Sequence, residues 1–467
     1  MKTLLKTTAL LCVAFLLLNS CDEKKKDDKK KDAETTKTKA KAQANYDLAD
    51  ADKSESTCAC ETDWFPHTQT PAPAEGANSP FAASETTNCI FHQWSWQKFL
   101  WLTVPDSNKT PFFLRDASIK QVDPYMAPVT IPSGTSVALS VSEEQQAGSQ
   151  GVLKSNPNFN NGSSATVFYA IYMNDTMNET ALKYGSQLAS GELDPNNSKV
   201  YPVGSFELKT AWIATTAIPE TDLANYFTTT ASIDGTTTEV ALLGMHVVGI
   251  VENHPEFIWA TFEHNSLAPA FDWTKGTASS DTETLLFKKG SVSTIDGIQW
   301  PYGGSAPTAA SEAYTLFEYG VPRVSGSNPK TNFMKTSQTE PKNYHNIKVI
   351  NDCVAGKLED VWNNYAYTGS IWINTDNLTS DEQIALIIKA GDTIGNATPG
   401  SIASGSLNSA NISMETYTQT FEASLDKIEA SNLTNCLSCH SAQSFSSGNP
   451  KSPLYISHVF NGYLEHQ

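Results

Sequence analysis

The chain has 467 residues, with 50 acidic against 32 basic side chains and a formal net charge of −18. That balance excludes nucleic acid as a partner, because a phosphate backbone demands a basic face. Twenty phenylalanines, sixteen tyrosines and ten tryptophans supply a large apolar core, and the length suits one large or two ordinary domains.

Met1 to Ser20 opens on Lys2 and Lys6, runs apolar from Ala9 to Leu18, and closes on polar residues before Cys21. So short a run reads as a signal peptide over residues 1–20, since a membrane-spanning helix needs about 20 apolar residues. Leu17-Leu18-Asn19-Ser20-Cys21 resembles the lipobox of bacterial lipoproteins, although Asn19 is a less usual choice at its position. The resemblance implies acylation of Cys21 and an exported lipoprotein, periplasm-facing or anchored in the outer membrane. An ordinary secretory signal with an incidental cysteine is the alternative. Residues 21–57 are expected to form a solvated tether, because acids and lysines alternate and nothing apolar in Asp22–Asp32 favours order. Losing Lys2 and Lys6 leaves −20, and the nine lysines and six acids of residues 22–41 net +3, so the body from Ala42 carries −23. Such a surface suits docking to a basic redox partner, and solubility alone also accounts for it.

The body is expected over residues 58–400. Asn88 is placed to cap a helix running through Cys89-Ile90-Phe91-His92-Gln93-Trp94-Ser95-Trp96-Gln97-Lys98-Phe99-Leu100-Trp101-Leu102-Thr103, apolar almost all round and therefore buried. Runs 165–172, 203–213 and 239–251 are β-branched or aromatic and bounded by turn residues, which predicts sheet. Asn253-His254-Pro255 is turn chemistry between 239–251 and 256–264, which predicts a hairpin. His246 and His264 would share a face of it in only one of two registers. Val361–Ile373 reads as strand-like or buried, Ser380–Lys389 as a short helix, and the Gly-, Ser-, Asn- and Thr-rich stretch 391–411 as a loop.

Eight cysteines are present. Cys58, Cys60, Cys89 and Cys353 make an even set, which in an oxidising compartment predicts two disulfides. Cysteines one residue apart rarely bond each other, so Cys58 and Cys60 are expected to go separately to Cys89 and Cys353. Metal ligation by these thiols with His67 or His92 is the rival reading.

Met414 to Ala430 has helical character, with Tyr417, Phe421, Leu425 and Ile428 on one stripe. It leads into Cys436-Leu437-Ser438-Cys439-His440, the CxxCH attachment pattern of a c-type haem. In that pattern the two thiols bond the porphyrin vinyl groups and His440 becomes the proximal iron ligand. Export strengthens this reading, and the absence of a second CxxC or a paired histidine motif weakens zinc.

A helix leading into CxxCH resembles the c-type cytochromes, which implies thioether bonds at Cys436 and Cys439 and iron at His440. The small cytochrome c module draws a methionine ligand from well downstream, whereas here only 27 residues follow His440 and none is methionine. The wider layout resembles an uncharacterised group of exported bacterial monohaem c-type lipoproteins. These share an FHQWSWQKFLWL-like helix, an HPEFIWATFEH-like strand and a helix such as Ser413-Met414-Glu415-Thr416-Tyr417 before CxxCH. That likeness covers most of residues 58–445 and implies an α+β fold: a β-rich body with a buried aromatic helix, and a helical haem segment over 401–467. It implies no reaction.

The second iron ligand stays open between His458, Met414, the body residues His92, His246, His254 and His264, and an unligated face. Two strong ligands favour single-electron transfer, and an open face favours a peroxidase-type enzyme. A binding protein whose CxxC is only a disulfide is the third reading.

Overall fold

The computed structural model describes residues 58–140, 153–267, 282–286, 289, 343–390, 403–406, 411–414 and 436–467. The expected signal peptide, Cys21, the tether and the helix beyond Met414 lie outside the described residues. The described chain is mixed helix and sheet, dominated by a ten-stranded sheet. Strands follow the order β1 (Ile119–Val122), β4 (Thr166–Asn174), β5 (Phe206–Ala214), β7 (Thr236–Val251), β8 (His254–His264), β9 (Tyr365–Ile373) and β10 (Ala403–Gly405). Off this path, β3 (Leu153–Lys154) pairs with β4, β6 (Thr228–Ile233) with β7, and β2 (Val137–Leu139) with β6. Every pairing is antiparallel except β2 with β6.

Both faces of this sheet are covered, so its central strands are buried on both sides rather than alternating between core and water. One face carries α1 (Asn88–Thr103), α2 (Phe112–Arg115) and α4 (Asn343–Ala355). There Phe99 stacks on Phe262 at 4.0 Å and Phe91 on Trp372 at 3.9 Å. The other face carries α3 (Asp175–Ala189), α5 (Ser380–Ala390) and the C-terminal segment, which includes α6 (Cys436–Cys439) and α7 (His458–Glu465). All belong to one compact unit, Ser56–Gln467.

Helix α1 is buried nearly all round, as its composition predicts. Asn88 is its first residue rather than its cap, and the side chain turns inward to His92. The hairpin forms, but its turn is Glu252-Asn253, with Asn253 at φ 62° and His254-Pro255 already in β8. Asparagine tolerates that left-handed backbone, which is why two residues suffice. Several elements were not anticipated, among them β1, β2 and α4, and two of them bear on the sheet's site-side face and its edge. Helix α3 begins where Asn174 Oδ1 accepts the Met177 amide, and it buries Met177, Ala181 and Gly185 at fourfold spacing. Strand β10 lies inside the expected loop 391–411, on Gly405 at φ 84°, where a Cβ would strike Trp372 and the Ser370 carbonyl. Disulfides join Cys58 to Cys89 and Cys60 to Cys353, tying residues 58–60 to both α1 and α4.

His92 is fully buried. Its Nε2–H donates to Asn88 Oδ1 at 2.8 Å and Asn343 Oδ1 at 2.9 Å, and Nδ1 accepts the Tyr367 hydroxyl at 2.7 Å. Burial pushes its pKa down to about 3, against a smaller upward pull from the Asn343 hydrogen bond. The unfolded chain protonates this histidine near 6.5 and the folded chain does not until about 3. Its contribution is therefore full above pH 6.5 and falls by about 1.4 kcal/mol per pH unit as pH drops toward 3. Urea unfolding at pH 6 and pH 4 should show a shallower loss of stability in His92→Gln than in the parent. Equal slopes would contradict this account.

Candidate haem-attachment site

Positions 436 to 439 form one helical turn, closed by the His440 amide donating to the Cys436 carbonyl at 2.8 Å. The spacing i, i+3, i+4 puts positions 436, 439 and 440 on one side of that turn. Leu437 is fully buried in the apolar cluster and fixes the turn on the sheet face.

His440 Nδ1–H donates to the Ile456 carbonyl at 3.0 Å, which leaves the Nε2 lone pair as the ligating position. Burial, followed by the neighbouring His458, holds the His440 pKa well below the usual histidine range, so the ring is neutral at pH 7. The His458 ring stacks on His440 at 3.7 Å and 21°, and Trp259 packs against His440 at 4.1 Å. Ser457 positions His458: its Oγ accepts the Phe460 amide at the start of α7 and donates to Glu207 Oε2 at 2.9 Å. The half-exposed Phe445 lies at the edge, its ring 4.9 Å from His458.

The floor under these rings comes from three strands in register. Lys209, His246 and Thr261 form one rung across β5, β7 and β8, and Glu207, Val248 and Trp259 form another two residues away. Every residue of β7 from Val240 to Val251 is buried except His246, which is half-buried. Glu207, Lys209 and Trp259 are half-buried too, so the four mark an opening in an otherwise closed sheet face. Beside it, Asn411 Nδ2 donates to Thr261 Oγ1 at 3.0 Å and to the Phe262 carbonyl at 2.9 Å. Gly244 permits that approach, because a Cβ there would come within 2.8 Å of Asn411 and Ser413.

Of the residues expected to act together, His440 and His458 meet, and Cys436 sits half-buried on the same turn. Met414 is fully buried in the same apolar cluster as Leu437 and Ile456. His246 faces the site, whereas His264 lies three positions beyond its cross-strand partner Thr261 and so on the other side of β8. There His264 stacks on Tyr226. His92 and His254 belong to the α1 side, His254 against Phe81 and Phe91 and bonded to Glu256 at 2.9 Å. The thiols expected as disulfides or metal ligands are in disulfides, and His67 is bonded to Asp360 instead. Sequence reasoning passed over Trp259, Lys209, Glu207 and Ser457, whose convergence depends on cross-strand register.

The donor set fits a covalently held haem. A neutral imidazole has its outer nitrogen engaged by a carbonyl, and the buried Trp259 Nε1–H beside it has no acceptor. His458 would serve as a second ligand only after leaving its stack on His440. Among the described residues no group of three or more His, Cys, Asp or Glu side chains could hold a metal ion, and no helix is long and apolar enough to cross a membrane. No family model, curated protein or solved structure matches the chain.

Proposed function

We propose that the protein is an envelope c-type cytochrome that carries one covalent haem and passes single electrons between partners. Positions 436, 439 and 440 on one helical turn, with His440 neutral and its Nδ1 anchored on Ile456, are the observation that carries the reading. Bound haem supplies a one-electron iron couple. In this reading Cys436 and Cys439 hold the macrocycle and His440 presents Nε2. Ile456 fixes the tautomer and raises the basicity of the ligand. Trp259 and the sheet floor keep bulk water from one side of the imidazole. Export through the N-terminal segment and anchoring at Cys21 belong to the same proposal, as does a redox partner protein in the envelope.

A pyridine haemochrome assay on the exported protein tests the reading directly, and finding no covalent haem would sink it. Taking His458 as the second ligand, once it has left its stack on His440, gives a two-histidine iron rather than an open face. A ferric low-spin spectrum indifferent to cyanide is therefore expected for the parent. His458→Ala should convert it to a form that binds cyanide, and an unchanged spectrum would remove His458 as ligand. A parent that is high-spin and responds to cyanide or peroxide would move the protein to the peroxidase-type class.

A further inference from the structure

We propose that Trp259 Nε1–H and the Lys209 ammonium are the two donors that seat the propionate carboxylates of the haem, an inference that rests on the haem reading above. The macrocycle carries its vinyl groups and its propionates on different edges. Thioether bonds at Cys436 and Cys439 take the vinyl edge, so the carboxylates must find partners elsewhere. A carboxylate brought against protein needs charged or N–H donors to offset its lost hydration.

Trp259 is placed for this. Its ring packs on His440, the residue nearest the iron in this reading, and the residue is half-buried beside the opening in the sheet face. Indole Nε1–H is a donor only, and in Trp259 it is buried without an acceptor. Leaving a buried donor unmet is costly, so such a group points to a ligand. The contrast within the protein is direct. Trp94 donates to Glu75 at 2.8 Å, Trp96 to Asn351 at 2.8 Å and Trp212 to Thr210 at 2.7 Å.

Lys209 occupies the adjacent same-face rung, two strands away, with its Nζ 4.9 Å from the Tyr169 ring. The two acids on this face would repel a carboxylate, and both are engaged. Glu207 accepts the Ser457 hydroxyl and Glu263 accepts the Ile412 amide. His246 stands between Lys209 and Thr261 and completes a polar strip along the opening.

The test uses full-length exported protein in five forms: parent, Trp259→Phe, Lys209→Met, Lys209→Arg, and Lys120→Met as a control on an exposed lysine paired with Asp175 at the sheet edge, four strands from Trp259. Haemochrome assay of the parent comes first, and absence of haem there overturns the functional reading rather than the seat. With haem present, redox-difference infrared spectra with 13C-labelled propionates report the carboxylates themselves. Their bands should shift in Trp259→Phe and Lys209→Met and stay in place in Lys209→Arg and Lys120→Met. The midpoint potential should also fall in Lys209→Met, because a nearby positive charge favours the reduced iron. Parent-like bands in either Trp259→Phe or Lys209→Met, with haem loaded, overturn the two-donor seat. Should Trp259→Phe fail to retain haem, Trp259→Tyr supplies the same comparison with a hydroxyl donor in place of the N–H.

Discussion

Replacing both Cys436 and Cys439 with alanine should abolish covalent haem, so that acid-acetone extraction removes all porphyrin absorbance from the denatured chain. Each thioether is an independent bond, and Cys436→Ala or Cys439→Ala alone should leave one vinyl group conjugated and shift the haemochrome band to longer wavelength. His440→Ala separates attachment from ligation: both thioethers remain possible while the proximal nitrogen is lost, so the ferric spectrum changes and the extraction result does not. The helical turn makes these outcomes distinguishable, because positions 436, 439 and 440 fall on one side of it while Leu437 is buried in the core. Haem that stays attached in the double variant would defeat the assignment. A parent chain with no haem and a 436–439 disulfide would instead establish the binding-protein reading.

Much of the scaffold was legible because its signals are local. Cysteine parity and spacing led to two disulfides from Cys58 and Cys60 to Cys89 and Cys353, with the pairing itself left open, and the apolar wheel of residues 89–103 led to a mostly buried helix. The hairpin was legible too, though its turn sits one residue earlier than the Asn-His-Pro signal suggested, since Pro255 is accepted early in β8. Helix α3 was missed because the buried positions on its inner face are few and small, Met177, Ala181 and Gly185 with Asn178, and Tyr184 and Leu188 are only partly covered. That face gains meaning from Tyr463 of α7, against which Gly185 packs. The site was legible only along the chain. CxxCH and His458 stand out as residues, but Lys209, His246 and Trp259 lie on three strands, and their alignment is a fact of register. A one-residue slip in β8 would turn Trp259 to the α1 side and remove the opening beside His440.

Of the two disulfides, Cys60–Cys353 should prove the costlier to remove. It closes 293 residues of chain against 31 for Cys58–Cys89. Loop-closure entropy assigns about 6 kcal/mol to the longer bridge and about 4 kcal/mol to the shorter. Both hold residues 58–60 against the α1 face, where Cys60 reaches α4 and Cys58 reaches α1. Denaturant midpoints of Cys60→Ser/Cys353→Ser and Cys58→Ser/Cys89→Ser, measured at equal protein concentration, check the order. A larger loss from the shorter bridge would mean that local packing around Cys89 outweighs chain entropy. The α1 face and the His440 site lie on opposite sides of the sheet, so the two effects should separate. In the absence of denaturant the long-bridge variant should keep the parent's haem spectrum while unfolding far more readily. A changed spectrum under those conditions would show that α4 and β9 transmit strain through the sheet to β8, because β9 pairs directly with the strand that carries Trp259.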